Sequence, residues 1–170
     1  MTFANAGRGL CIAGSDYEYL SEGAYGFVFV DRKQKRIRKV YRRTHKPEHA
    51  RNVFNAEVDA LKKAAVADEL TTLVPEFFGL CTDVKILDRE GNDVTGEVYP
   101  DLAFEAEFLD GNFQKNAIAE EGERERVFAL FRNHGINHVI DTDVTVEGGS
   151  ITKVIDFAVQ EIIPQWDDDV

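Results

Sequence analysis

Residues 16–21 alternate polar and apolar positions with a period of two, residues 36–41 place Ile37, Lys39 and Tyr41 on one face with the same period, and within residues 49–66 the apolar positions recur at spacings of four, three and four. The period of two predicts strands and the longer spacing a helix. Residues 16–21 read as a half-buried strand, and Phe27-Val28-Phe29-Val30 as its partner across the turn Ser21-Glu22-Gly23-Ala24-Tyr25-Gly26. A polar turn at 31–35 leads to a third strand at 36–41, on which Ile37, Lys39 and Tyr41 share one face. Residues 49–66 predict a helix with Phe54, Val58, Leu61 and Ala65 on its buried stripe, and Glu57 falls on that same stripe.

Farther on, residues 74–80 predict another strand, 83–95 a hairpin turning at Glu90-Gly91-Asn92, and 102–108 a strand. Two helical segments are expected at 112–120 and 122–133, the second with Val127, Leu130 and Phe131 on one face. Short strands at 144–146 and 150–155 are joined by Glu147-Gly148-Gly149. Residues 9–14 form a short apolar run with no role that the pattern assigns.

Composition narrows the class. With 170 residues and 44% hydrophobic content the chain is long enough for one core or two small ones. No apolar run approaches the roughly 18 residues that cross a bilayer, and the start of the chain carries too short an apolar segment for a secretory signal, so a cytoplasmic protein is expected. Cys11 and Cys81 are the only cysteines, without metal-binding spacing, and read as buried thiols. The formal charge is −11, yet residues 32–51 hold ten of the twenty Lys and Arg residues against one acid, Glu48. The acidic remainder argues against a nucleic-acid partner, while the basic segment offers a face for an acidic protein or a phosphate. It reads equally as a solvated strand edge.

Candidate chemistry starts at the glycine turn. Glycines let backbone N–H groups approach an anion, and the Lys39 ammonium can neutralise it. The same turn also reads as an ordinary hairpin. Lys39 points with apolar neighbours and needs a partner, and the inward Glu57 is the candidate; a snorkelling lysine and a rim glutamate are the alternative.

In this order of glycine turn, strand lysine and helix glutamate, the chain resembles the small lobe of the protein kinase family. There the loop covers the ATP phosphates and the lysine, held by the glutamate, contacts them. Gly23, Gly26 and Val28 match the later positions of the family's glycine loop, Ser21 replaces its first glycine, and Tyr25 stands where an aromatic tip is common. Ala106-Glu107-Phe108-Leu109 resembles the hinge, which implies Ala106 as gatekeeper and the backbones of Glu107 and Leu109 against adenine. Val154-Ile155-Asp156-Phe157-Ala158 resembles the strand and metal-binding triplet, with Ala158 for the usual glycine, implying Asp156 as a ligand of Mg²⁺ or Mn²⁺.

The catalytic loop has two registers. Counted back from Asp156, Asp143 takes the place of the second metal ligand and His138 that of the catalytic aspartate. Opened instead at His134-Gly135, the loop puts Ile136 at the aspartate and Asp141 at the second ligand. Neither supplies the usual Asp followed by Asn.

The resemblance implies a single α+β, two-lobed, truncated kinase-like domain over residues 1–170. It comprises an antiparallel-sheet N-lobe with one helix at about 9–108 and a reduced helical C-lobe at about 109–170, without the activation segment and later helices. Such chains are similar to the short bacterial effector kinases of the OspG and NleH group, which would work in a host cytoplasm, or to phage and mobile-element kinases. The implied function is transfer of the γ-phosphoryl group of ATP to a protein, activated by a partner. A pseudokinase that docks a partner without chemistry is the alternative, and a small-molecule kinase the third reading. The acidic end at 167–169 reads as a solvated tail.

Overall fold

The computed structural model describes residues 8–139 and 141–157; the expected acidic tail and Ala158 lie outside them. The chain forms two compact units, one from the chain up to Phe54 with Glu76–Asp110, the other from Asn55–Pro75 with the chain from Gly111 onward. Together they make an α+β protein with a curled antiparallel sheet, a small second sheet and two helices.

In the first unit, β1 (Cys11–Ile12), β2 (Glu18–Glu22), β3 (Gly26–Asp31), β4 (Arg36–Arg42), β5 (Phe77–Cys81), β6 (Ile86–Leu87) and β7 (Val98–Glu107) make one sheet. Its order is β5-β7-β4-β3-β2-β1-β6. The meander β2–β3–β4 falls where the strand pattern placed it, with β3 buried along nearly its whole length between β2 and β4 and the two flanking strands more open. The sheet curls: Ile86, on the edge strand β6, and Val84 just before that strand belong to one apolar cluster with Phe27, Phe29, Val40, Val98 and Ala103. The Val84 N–H also donates to the Pro100 carbonyl at 3.2 Å. The apolar run at 9–14 thus acquires a role, since Leu10 and Ile12 close this core. Pro100 is tolerated in β7 beside the register break between Val40 and Arg42, where the ladder is already interrupted.

The expected hairpin at 83–95 is reduced to β6 with a single bridge from Leu87 to Asp93, and β6 takes β1 as its partner. The Asp88 carboxylate accepts the N–H groups of Glu90 and Asn92, closing the chain into a tight Asx-type turn before a longer ladder can form.

Helix α1 (Pro47–Ala65) starts two residues before the expected boundary. Up to Phe54 it belongs to the first unit, where Phe54 stands edge-on to Tyr41 at 5.4 Å. Its buried stripe ends on Ala64 rather than Ala65, which is exposed.

In the second unit, β8 (Gln114–Lys115), β9 (Asp143–Glu147) and β10 (Ser150–Ile155) form a sheet of order β10-β9-β8, and α2 spans Glu121–Asn133. The expected helix at 112–120 is absent: β8 and a 3-10 turn, Asn116–Ile118, stand there instead. Gln114 and Lys115 pair with Val144 and Asp143, and Asn116 gives both backbone and side-chain N–H groups to the Thr142 carbonyl, so tertiary pairing overrides local helix preference. Helix α2 buries Val127, Phe128 and Phe131, with Leu130 half-buried beside the expected face. The Phe131 ring packs on Phe157 at 5.2 Å. Gly148 (φ 56°) and Gly149 (φ 85°) both take left-handed geometry, which a two-residue β9–β10 turn requires. The Glu123 carboxylate accepts the Ile151 N–H at 2.9 Å and is held at a pKa of about 2 by Arg126 first and then by that N–H, joining α2 to β10.

Candidate functional site

The glycine turn closes tightly. The Gly23 N–H donates to the Gly26 carbonyl at 2.9 Å, leaving Ala24 and Tyr25 as a two-residue loop. Its carbonyls are held from outside, Tyr25 by the Arg42 N–H at 2.8 Å and Ala24 by the Thr44 hydroxyl at 3.4 Å. The Tyr25 ring is buried rather than presented as a tip. It lies 4.9 Å from the His45 ring and 5.8 Å from that of His49, and its hydroxyl is 3.4 Å from His49 Nε2. Burial pushes the Tyr25 phenol up, and burial together with neighbouring His49 pulls the His45 imidazole down.

Gly26 is required by close approach. A Cβ there would stand 3.0 Å from the Val40 carbonyl oxygen and 3.3 Å from Lys39 Cγ. A Cβ on Gly23 would meet nothing within 4 Å. The lysine stem thus lies against the turn that the sequence pairs with it. Lys39 is half-buried, opposite Val28 on β3 and Phe104 on β7, with its ammonium 5.5 Å from the Tyr41 ring centroid. Glu57 is 6% exposed on the stripe of α1 in the second unit. Ala106 is buried at the end of β7, the Glu107 N–H is committed to the Glu76 carbonyl at 2.8 Å, and the Phe108 N–H to that of Lys35 at 2.8 Å. Any contact of Glu107 with an adenine edge would therefore use its carbonyl.

In the second unit Asp143 opens β9 directly opposite Ile155, so the following residue, Asp156, brings a second carboxylate to it. Burial first, and Asp156 second, push the Asp143 carboxyl up against the opposing pull of Lys115. Asp156 has φ 57°, a left-handed geometry that costs a non-glycine residue about 1 kcal/mol or more. Two converging carboxylates fit a hard divalent cation, which takes oxygen ligands. Among the described residues no group of three or more His, Cys, Asp or Glu is placed to hold a metal.

The two registers of the catalytic loop separate here. His134 caps α2, its imidazole 3.0 Å from Glu69, and Gly135 (φ 73°) gives its N–H to the Arg132 carbonyl. His134-Gly135 is thus a helix terminus of the left-handed type. Ile136 is buried, and Asp141 turns to Lys115. Asp143, not Asp141, stands with Asp156. His138 is half-buried, and burial holds its imidazole below the ordinary value.

Sequence reasoning missed Lys115, whose ammonium bridges Asp141 at 3.2 Å and Asp143 at 3.1 Å. It also missed the fate of the basic segment. Arg32 pairs with Glu18, Lys33 with Asp16, Arg36 and Arg38 with Glu105, and Arg42 with Glu22, so at least five of its ten cations are matched within the chain. The lone acid in the apolar run Leu102-Ala103-Phe104-Glu105-Ala106 was the available signal, since a carboxylate in a buried strand demands cations. Cys11 and Cys81 are free and only half-buried.

No helix among the described residues is long and apolar enough to cross a membrane. Comparison with protein-family models, with curated proteins and with solved structures returns no significant match.

Proposed function

We propose that the chain binds a nucleoside triphosphate with a divalent cation, as a reduced kinase-like module, and transfers the terminal phosphoryl group to a protein. The observation that carries this reading is the juxtaposition of Asp143 and Asp156 at the open end of the β9–β10 hairpin, two carboxylates whose mutual repulsion a bound cation would relieve. The meander adds to it, with a glycine turn between its first two strands and Lys39 on its third, as the family's lysine stands on the third strand.

In this reading Lys39 and the turn at Gly23–Gly26 meet the phosphates, and Glu107 and Leu109 offer backbone to the base. Asp143 and Asp156 hold Mg²⁺ or Mn²⁺, which neutralises charge on the transferred group. His138 is neutral at pH 7, so it can accept a proton from a substrate hydroxyl, more weakly than a carboxylate would. A protein docking on residues 32–51 belongs to the same proposal, although the in-chain pairs leave that segment fewer cations to offer.

A binding module without phosphotransfer is the second reading. Lys115 favours it, because a tethered ammonium between Asp141 and Asp143 already supplies positive charge where the metal is needed. The test is the melting temperature with ATP and Mn²⁺, followed by transfer of labelled γ-phosphate. A ligand at a hundred times its Kd stabilises by about 2.7 kcal/mol. Lys39→Ala and Asp156→Ala are each expected to remove most of the shift. No shift at saturation would end the phosphotransfer reading and leave only a partner-binding module; a shift without transfer would select a nucleotide-binding module.

A further inference from the structure

The opposite face of the large sheet carries a recess that the nucleotide reading leaves unused. Arg36 and Arg38 alternate with Ile37 and Lys39 along β4 and therefore lie on the other side. There Arg38 stands directly across from Glu105 on β7, and the apolar core gives way to polar groups. Glu105 accepts hydrogen bonds from Arg38 Nε at 2.8 Å, Arg36 Nη1 at 2.5 Å and the Tyr17 hydroxyl at 2.8 Å. Around this cluster, with Ser15, Asp16, Asp31 and Gln34 on the walls, a recess of about 610 Å³ opens. Small-molecule sites span roughly 300–1,000 Å³.

We propose that this recess binds a small polar monocarboxylate, of the size of an amino or hydroxy acid, through the guanidinium edges of Arg36 and Arg38 that Glu105 leaves uncommitted. Each guanidinium carries about five N–H donors. Glu105 engages one nitrogen of each, and among the described residues their other side-chain nitrogens make no protein hydrogen bond. Both planes are braced, Arg38 over the Tyr17 ring at 4.4 Å and Arg36 over Phe78 at 4.3 Å. A braced fork suits a planar oxyanion.

Charge selects the ligand. At the Glu105 cluster two guanidiniums face one carboxylate, a local surplus of one positive charge, while Asp31 and Asp16 on the walls add negative charge that disfavours a dianion and suits an ammonium on the ligand's other end. Asp31 is buried and spends Oδ1 on the N–H groups of Lys33 and Gln34, while Asp16 pairs with Lys33 at the rim. A monocarboxylate matches the surplus, whereas a phosphate dianion brings a second, uncompensated charge beside Glu105. Ser15, Gln34 and Asp16 suit hydroxyl or ammonium groups on the ligand's other end.

The experiment is a titration of the full ¹⁵N-labelled chain with lactate, alanine, inorganic phosphate and glycerol, following the Nε–H signals of Arg36 and Arg38. Lactate and alanine are expected to move both signals saturably at millimolar concentration, and phosphate and glycerol are not. Gln34 is exposed at the mouth, so Gln34→Glu should weaken carboxylate binding on the order of tenfold while leaving the melting temperature unchanged. Arg38→Lys keeps the charge beside Glu105 but loses the fork, and should weaken it as well. No saturable shift with either carboxylate, an equal response to phosphate or glycerol, or full affinity in Gln34→Glu would overturn the proposal.

Discussion

Lys115 and Asp143 face each other across paired strands, ammonium to carboxylate at 3.1 Å, while Asp143 is pressed from its other side by the carboxylate of Asp156. The lysine is thus a resident counter-ion beside the two acids that would hold a metal. Its own pKa is raised, since hydrogen bonds to Asp143 and Asp141 outweigh the loss of solvent.

The Asp143 carboxyl, raised by burial and by Asp156, favours the folded state only while it is protonated. Its contribution is complete below the ordinary aspartate value and is lost as pH rises through the raised one. At neutral pH, without metal, Asp143→Asn is therefore expected to raise the melting temperature. Mn²⁺ should stabilise the wild-type chain and leave Asp143→Asn unchanged. In Lys115→Ala the Mn²⁺ shift should grow, because the resident cation is gone. Scanning calorimetry with and without Mn²⁺ reads all of these, and a destabilised, metal-insensitive Asp143→Asn would contradict the account of the carboxylate pair.

The two glycines of the turn should respond differently. Gly26→Ala puts a Cβ within 3.0 Å of a backbone oxygen and is expected to cost about 1–3 kcal/mol in urea denaturation. Gly23→Ala meets open space and should leave stability within about 0.5 kcal/mol. If backbone N–H groups near residue 23 approach a phosphate, the same silent Gly23→Ala should weaken ATP binding, which separates a phosphate cradle from an ordinary hairpin.

His45 supplies a pH dependence. Its imidazole is lowered by burial first, then by His49 and Arg42, against a hydrogen bond to the Ala24 carbonyl. A depressed imidazole favours the folded state above its ordinary value, near 6.5, and that contribution disappears as pH falls through the folded value. Stability should therefore fall from about pH 6.5 downward. His45→Gln should flatten that fall, and the Tyr25 environment, followed by its ring NMR signals, should loosen over the same interval in the wild-type chain. An unchanged acid limb in His45→Gln would remove His45 from the linkage.

The local pattern of residues determined the meander β2–β3–β4, helix α1, helix α2 and the hairpin β9–β10. Each rests on a short alternating or continuous apolar run, on a period of about 3.6, or on a glycine pair such as Gly148-Gly149 that only a tight turn accommodates. The buried position of Glu57 followed from the same periodicity. Tertiary structure alone decided that Gln114 and Lys115 pair with β9 instead of joining a helix, and that β1 and β6 close the curled sheet. It also decided that Tyr25 stacks on two histidines and that Glu105 gathers Arg36, Arg38 and a tyrosine 88 positions away in the chain. The reason is physical: periodicity reports which face of an element is dry, whereas the partner of a buried charge or a two-residue strand is chosen by segments remote in sequence. Such pairings leave no local trace beyond the demand that a buried charge be matched.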